Sequence, residues 1–290
     1  MPKIHADLIR DGIQGDLYYK DGTEGSGKAM IILGHSFGRY KKNTRRLARA
    51  FAGMGIPSLG LAYWKEPGLS GDLSKIPVEY VGEAVNWLHK KGFPTVGVYG
   101  ISKGAEFALV SASLLPEINF VVAVSPFDYV LEGQTFLGTS SNSSSWSFKG
   151  RELPWVPWNE NLRSIAATSL LTGQLDMRAR YRDALRFASE RSVIKAENIK
   201  GPVLLLTARD DSVWAGNEAA TRIMARLRAE HFPYFFEHVD YRCASHLLLP
   251  YARAGKFERM LFRNARRKSD KYSASRKHAA WKIRSFVHKV

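Results

Sequence analysis

The chain has 290 residues, of which 45% are hydrophobic, so it can bury a substantial core in one large domain. Its single cysteine, Cys243, excludes an internal disulfide and a cysteine-pair zinc site, and we expect neither a metal nor a cofactor. The sequence contains no recognisable secretory signal and no run of residues apolar enough to cross a membrane. These features predict a cytoplasmic protein.

Two segments carry most of the net charge of +16. Six lysines and arginines lie between Arg39 and Arg49 without an acid, and residues 263–290 contain ten cations against Asp270 alone. Such clusters attract polyanions or phosphorylated small molecules. We interpret the C-terminal cluster as a solvated basic surface and do not expect nucleic acid as a partner.

Short β-rich runs alternate with helix-like runs along most of the chain. The predicted strands are residues 29–33, 58–62, 95–99, 120–124, 203–207 and 234–239, and the predicted helices are residues 44–54, 78–90, 103–115 and 217–230. A hairpin around residues 6–10 and 14–19, with Asp11-Gly12 as its turn, is expected at one edge. The alternation predicts an α/β fold with a mostly parallel central sheet and helices on both faces.

The alternation stops between residues 127 and 198. This segment contains Trp155 and Trp158 and then a helix-like run over residues 175–191. An insertion there would lie above the carboxyl ends of the strands, where open α/β sheets bind ligands. We therefore expect one domain, residues 1–290, with a cap-like insertion over residues 127–198. Trp155 and Trp158 are candidates for lining an acyl pocket, although packing of the cap on the core explains them as well.

The pentapeptide Gly-Ile-Ser-Lys-Gly at residues 100–104 lies between a predicted strand and a predicted helix. At such a turn, G-x-S-x-G is typical of the nucleophile elbow of an α/β-hydrolase, which exposes the serine hydroxyl above the sheet. A Cβ atom at Gly100 or Gly104 would collide with the neighbouring strand or helix. Ser102 is therefore a candidate nucleophile, with an ordinary strand-to-helix turn as the alternative because the pattern is short.

A serine hydroxyl needs a base and a carboxylate to act as a nucleophile at neutral pH, and in this fold they follow in the order Asp or Glu, then His. Asp210 and Asp211 come directly after the predicted strand at residues 203–207, and His246 follows the last predicted strand. We choose Asp211 as the acid, because the acid of this fold usually comes about three residues after the closing turn. Asp210 is the fallback.

The loop Gly34 to Gly38 follows the first parallel strand and is expected to point a backbone N–H at the developing oxyanion, as is Lys103. The residues leave open whether Phe37 or Ser36 is the donor of this loop. The cations just after it are candidates to bind the phosphates of a phosphorylated substrate: Arg39, Lys41, Arg45 and Arg46.

Several stretches are more specific than the elbow alone. They include Gly-Ile-Ser-Lys-Gly-Ala-Glu at residues 100–106, Asp210-Asp211 with Trp214, and His246 followed by Pro250-Tyr251. With these the sequence resembles the C-terminal catalytic domain of the acyl-CoA thioesterase and bile acid-CoA:amino acid N-acyltransferase family. The resemblance implies an α/β-hydrolase fold, an acyl-CoA substrate, and the roles of nucleophile, acid and base for Ser102, Asp211 and His246.

The sequence therefore predicts a serine hydrolase that cleaves an acyl thioester or ester through an acyl-enzyme. A carboxylesterase or an acyl-CoA:amine N-acyltransferase would use the same residues and is the close alternative. The alternative from another class is a non-catalytic binder of nucleic acid or anionic surfaces, built around the basic C-terminal segment.

Overall fold

The computed structural model describes residues 1–22, 27–36, 40–158, 162–173, 176–209, 211–250, 259 and 269–290. The strands of these residues are β1 (Lys3–Ala6), β2 (Gln14–Tyr18), β3 (Lys28–Leu33), β4 (Ser58–Ala62), β5 (Ile76–Pro77), β6 (Thr95–Ile101), β7 (Phe120–Val124), β8 (Glu132–Gln134), β9 (Ser140–Ser144), β10 (Trp146–Phe148), β11 (Arg151–Glu152), β12 (Val203–Ala208) and β13 (Phe236–Tyr241). The α-helices are α1 (Leu8–Asp11), α2 (Arg45–Gly53), α3 (Glu79–Lys90), α4 (Lys103–Leu114), α5 (Leu162–Thr172), α6 (Arg178–Ala184), α7 (Gly216–Ala229) and α8 (Ser269–Lys289).

Eight strands form the central sheet in the order β1-β2-β4-β3-β6-β7-β12-β13. Strand β2 pairs antiparallel with both of its neighbours, and every pair from β4 to β13 is parallel. The predicted α/β fold with a mostly parallel central sheet is confirmed. Because the carboxyl ends of parallel strands meet at one edge, the loops after β3, β6, β7, β12 and β13 lie on the same side of the sheet.

Strand alternation divides the core into two layers, one on each face of the sheet. Val203 and Leu205 of β12 belong to the layer under α3, α4 and α7, whereas Leu204 and Leu206 belong to the layer under α2 and α8. All residues of β12 are buried, which explains the uninterrupted apolar run over its residues 203–206.

The edge hairpin differs from its prediction. Strands β1 and β2 pair antiparallel as expected, but residues 8–11 form the short helix α1 instead of a strand. The side chain of Asp7 accepts hydrogen bonds from the N–H groups of Ile9 and Arg10, which starts the helix, and Gly12 ends it at a φ of 74°. A favourable helix cap therefore outweighs the β-rich pattern here.

Residues 127–198 follow β7 at the carboxyl edge of the sheet and contain β8 to β11, α5 and α6. The helix predicted over residues 175–191 is shorter, since α6 ends at Ala184 and continues only as a 3₁₀ turn over Leu185–Phe187. Phe127 and Tyr181 of this segment pack against Trp214, which follows β12. The segment thus contacts the loops at the carboxyl edge, while its treatment as a cap within a single domain stays a prediction.

In the described part of the chain, none of the helices is long and apolar enough to cross a membrane. That part also contains no group of three or more His, Cys, Asp or Glu side chains that could hold a metal ion.

Candidate active site

Ser102 occupies a sharp turn between β6 and α4. Its backbone has φ 57° and ψ −124°, a conformation that residues other than glycine rarely adopt. A Cβ atom at Gly100 would lie 2.0 Å from the carbonyl oxygen of Gly104, and one at Gly104 would lie 2.4 Å from that of Leu33. Both distances are far below contact distance, so the two glycines are required for the close approach of α4 to β6 and β3, as predicted.

Three side chains that are distant in sequence meet above this turn. The hydroxyl of Ser102 lies 2.7 Å from Nε2 of His246, and Nδ1 of His246 lies 2.7 Å from Oδ2 of Asp211. A carboxylate only accepts hydrogen bonds, so Nδ1 carries the ring proton and Nε2 is free to accept from the serine hydroxyl. All three residues are buried. The arrangement is that of a serine whose proton can pass to a neutral imidazole.

Asp211 is fixed by the turn that follows β12. Its N–H donates to the carbonyl oxygen of Ala208 at 3.1 Å, and its second carboxylate oxygen accepts from the N–H of Val213 at 2.8 Å. The first contact turns the chain and the second sets the carboxylate so that Oδ2 faces His246. Asp210, the fallback acid, lies outside the described residues.

His246 is held by Ser125 and Trp214, neither of which was among the predicted site residues. The hydroxyl of Ser125 donates to the carbonyl oxygen of His246 at 2.8 Å, and the carbonyl oxygen of Ser125 accepts from Trp214 Nε1 at 3.1 Å. The indole of Trp214 in turn meets the imidazole edge to face, with ring centroids 5.0 Å apart. Ser125 could have been predicted from its position directly after the buried strand β7. Asp211 and His246 were predicted because they too follow strands.

The two candidate tryptophans lie in different parts of the core. Trp158 is buried and joins the site through aromatic contacts, packing on Tyr181, which packs on Trp214. The guanidinium of Arg180 lies 4.0 Å from the ring centroid of Trp158. Trp155 is only partly buried and packs against the opposite core layer, with α3 and α4, so the structure does not bring it to the three central side chains.

Behind the elbow, the side chain of Lys103 forms a buried ion pair with Glu106 at 2.8 Å. The other oxygen of Glu106 accepts from the N–H of Leu131 and from Nε1 of Trp146. Burial lowers the pKa of Lys103 and raises that of Glu106, while the attraction between the two charges opposes both shifts. The pair ties the start of α4 to the segment after β7, so the elbow and this segment form one hydrogen-bonded unit.

The backbone N–H of Lys103 belongs to the first residue of α4, where N–H groups have no acceptor within the helix. Its role as an oxyanion donor stays a prediction. Ser36 is described at the carboxyl end of β3, whereas Phe37, the other predicted donor, lies outside the described residues. Which of the two donates stays a prediction.

The predicted phosphate cations have different surroundings. Nε of Arg45 lies 2.8 Å from the buried carboxylate of Asp16, which also contacts Lys3 and His5. Burial alone would raise the pKa of Asp16, but hydrogen bonds from Tyr40 and His5 and the nearby cations lower it. This ion pair accounts for the position of Arg45. Arg46 is exposed on α2, while Arg39 and the side chain of Lys41 lie outside the described residues.

The strand order, the strained serine turn and the Ser-His-Asp geometry together define an α/β-hydrolase. A family model described as "BAAT / Acyl-CoA thioester hydrolase C terminal" matches residues 76–260, which include Ser102, Asp211 and His246. The chain belongs to this family. The resemblance noted from the elbow and the Asp-Asp-x-x-Trp motif is thereby confirmed.

The curated relatives that the chain matches are named as coenzyme A thioesterases. The chain is 31% identical over 183 residues to peroxisomal succinyl-coenzyme A thioesterase of Mus musculus, covering 61% of this chain and 39% of the relative. It is 30% identical over 190 residues to acyl-coenzyme A thioesterase 1 of Homo sapiens, covering 62% of this chain and 41% of the relative. The chain therefore spans only about two fifths of the length of these relatives.

Solved structures agree in fold. Est1E from Butyrivibrio proteoclasticus superimposes with a TM-score of 0.52 at 12% identity, covering 100% of this chain and 98% of that one. A dienelactone hydrolase-like promiscuous phosphotriesterase from metagenomic libraries gives a TM-score of 0.54 at 13% identity, covering 99% of this chain and 97% of that one. At such low identity these matches establish the fold alone.

Proposed function

We propose that the chain is a serine hydrolase that cleaves an acyl thioester through an acyl-enzyme on Ser102. The observation that carries this proposal is the pair of 2.7 Å hydrogen bonds from Ser102 to His246 and from His246 to Asp211. A buried serine, imidazole and carboxylate in this geometry form a proton relay with no ordinary structural purpose.

In the proposed mechanism, Nε2 of His246 takes the proton of Ser102 while Oγ forms a bond to the carbonyl carbon of the substrate. The electron pair of the carbonyl moves to its oxygen, where backbone N–H groups, including that of Lys103, stabilise the negative charge. The C–S bond then breaks, and the leaving thiolate takes the proton from His246. Water repeats the sequence on the acyl-enzyme and releases the carboxylic acid. Asp211 stabilises the imidazolium in both halves.

Acyl-CoA is the substrate class we propose. The support is membership of the family together with the names of the relatives, which are acyl-CoA and succinyl-CoA thioesterases. The chain covers about two fifths of those proteins, so the activity and substrate are inferred for the part that it shares with them.

The CoA phosphates are proposed to meet the basic segment after β3. We assign this contact to Arg46, whose side chain is exposed on α2. Replacing Arg46 with Ala should raise KM for the CoA thioester severalfold and leave KM for a p-nitrophenyl ester unchanged. An equal change in both KM values would contradict a phosphate contact.

The main test compares wild type with Ser102→Ala in steady-state hydrolysis of acyl-CoA and of p-nitrophenyl esters. The variant should lose at least about 10⁴-fold in kcat, because the nucleophile is absent. Ser113→Ala is the control: this serine lies on the same helix, and its hydroxyl donates only to the carbonyl oxygen of Val110 at 2.8 Å. Activity retained by Ser102→Ala would refute the proposed nucleophile.

The same assay separates the alternatives. Turnover of simple esters without turnover of CoA thioesters would identify a carboxylesterase, and acyl amides formed when glycine or taurine is added would identify an acyltransferase. A non-catalytic binder would show no turnover, no reaction of Ser102 with a fluorophosphonate, and a steep salt dependence of nucleic-acid binding.

We also propose a cytoplasmic location. The names of two relatives place one in the peroxisome and one in the mitochondrion, so location varies among the proteins that this chain resembles. Imaging of the full-length natural protein with a fluorescent tag tests the proposal, and co-localisation with either organelle would contradict it.

A further inference from the structure

His35 lies directly after β3, beside the elbow. The start of α4 packs on Gly34, the residue before His35, since a Cβ atom at Gly104 would lie 2.5 Å from the carbonyl oxygen of Gly34. The imidazole is only 6% exposed, and besides this burial a positive charge on His246 lowers its pKa, which shows that the two rings are near each other. His35 is therefore close to the proton relay, although no step of the proposed mechanism uses it.

One nitrogen of this ring has a partner and the other does not. The Nδ2 amide of Asn43 faces Nε2 of His35 at 3.5 Å, a long hydrogen bond in which Nε2 is the acceptor, so the ring proton lies on Nδ1. Nδ1 is buried and forms no hydrogen bond with any group in the described part of the chain. Burial lowers the pKa of His35 to about 4, so the ring is neutral at pH 7. The result is a buried N–H donor without an acceptor, which proteins rarely retain.

His35 also lines a small pocket. It lies between the carboxyl ends of β3 and β4, and its wall includes His35, Tyr40, Tyr63 and Trp64. The two phenols are already engaged, since Tyr63 donates to the carbonyl oxygen of Gly34 at 2.6 Å and Tyr40 donates to Asp16 at 2.9 Å. Neither phenol therefore has a proton left to donate to a ligand in this pocket, whereas Nδ1 of His35 has no acceptor among the described residues.

The wall of the pocket also contains an irregular helical segment. Residues Tyr40–Thr44 form a π-helical turn before α2, and this turn carries Asn43 to the ring of His35. Such wide turns cost stability and occur most often at functional sites. The turn thus fixes both the position of the imidazole and the nitrogen that carries its proton.

We propose that Nδ1–H of His35 donates a hydrogen bond to the carbonyl oxygen that Ser102 attacks, as a side-chain member of the oxyanion hole. This inference rests on the proposed hydrolase function. The ligand class is an ester or thioester carbonyl, whose oxygen supplies the missing acceptor. As the carbonyl becomes an oxyanion the bond strengthens, so the contribution falls mainly on kcat.

The test uses three variants of the full chain: His35→Phe removes the donor, His35→Asn places an amide N–H near the position of Nδ1, and His35→Gln places one near Nε2. We expect Phe and Gln to lower kcat for an acyl-CoA or a p-nitrophenyl ester by about 10- to 100-fold, with KM changed less than about threefold. Asn should restore kcat to within about fivefold of wild type. His89→Phe, on the exposed side of α3, is the control and should leave kcat unchanged.

Thermal melting distinguishes this role from a structural one. His35→Phe removes a buried donor that lacks an acceptor, while exposed Asn43 can turn to water, so its Tm should equal or exceed that of wild type. The proposal is overturned if Phe keeps the wild-type kcat, if Asn is as slow as Phe, or if activity falls only in step with Tm. An inactive wild type would instead refute the hydrolase function.

Discussion

The two sides of the elbow differ in how completely their polar groups are paired. On the acid–base side, His246 contacts Ser102 and Asp211 through its ring and Ser125 through its carbonyl oxygen, and Trp214 packs against it. On the oxyanion side, Nδ1 of His35 is buried without an acceptor among the described residues. The first side is complete in the free protein, whereas the second is completed by a substrate oxygen. Substitutions on the acid–base side should therefore lower both stability and activity, whereas those on the oxyanion side should lower activity alone.

Apart from the loss of Ser102 itself, the largest effect is expected from Asp211→Asn. The amide can donate to Nδ1, which favours the wrong tautomer of His246, so kcat should fall by about 10³- to 10⁴-fold with KM little changed. Asp210→Asn is the matched control and should stay close to wild type in the same steady-state assay. If Asp210→Asn is the slower variant, the acid has been assigned to the wrong aspartate.

The next effect concerns stability in acid. Burial, and secondarily the charge of His246, lowers the pKa of His35 to about 4 from 6.5. Between these values the unfolded chain binds a proton at this position and the native chain does not, so acid destabilises the native state. His35→Phe has no group that titrates at this position, so acid should not destabilise its native state in this way. Relative to wild type, its free energy of unfolding should therefore rise by about 2 kcal/mol between pH 7 and pH 5.

Urea unfolding of both proteins at the two pH values measures this difference, because all other groups titrate alike in the pair. A difference that stays constant with pH would mean that His35 is not buried as a neutral ring.

The smallest effect is expected from Ser125→Ala. The variant loses the hydrogen bond to the carbonyl oxygen of His246, so the imidazole is held less firmly and kcat should fall about tenfold. The free energy of unfolding should drop by about 1 kcal/mol, measured by urea titration. Unchanged kcat in Ser125→Ala would show that Trp214 alone positions the base.

Most strands and helices could be predicted because each has a clear pattern of its own. Residues 203–206 of the buried strand β12 are an unbroken apolar run, and the flanking glycines of the elbow mark a turn that only they can form. Asp211 and His246 could be placed because the fold collects its polar groups at strand ends. These features depend on residues that are close in sequence or on a general rule of the fold.

The missed features depend on contacts between distant residues. The pairing of Arg45 with Asp16 joins β2 to α2 across 29 positions, and no local pattern marks it. The separation of Trp155 from Trp158 follows from a change of core layer within four residues. The unpartnered nitrogen of His35 is a property of the folded pocket, so only coordinates reveal it.

The central claim is that Ser102 becomes a nucleophile through His246. Its most direct test is to label the protein with a fluorophosphonate and to locate the modified residue by peptide mass spectrometry. We predict a single adduct on the peptide that contains Ser102, formed much more slowly in His246→Ala and absent in Ser102→Ala. An adduct on another residue, or labelling at the same rate without the imidazole, would contradict the account.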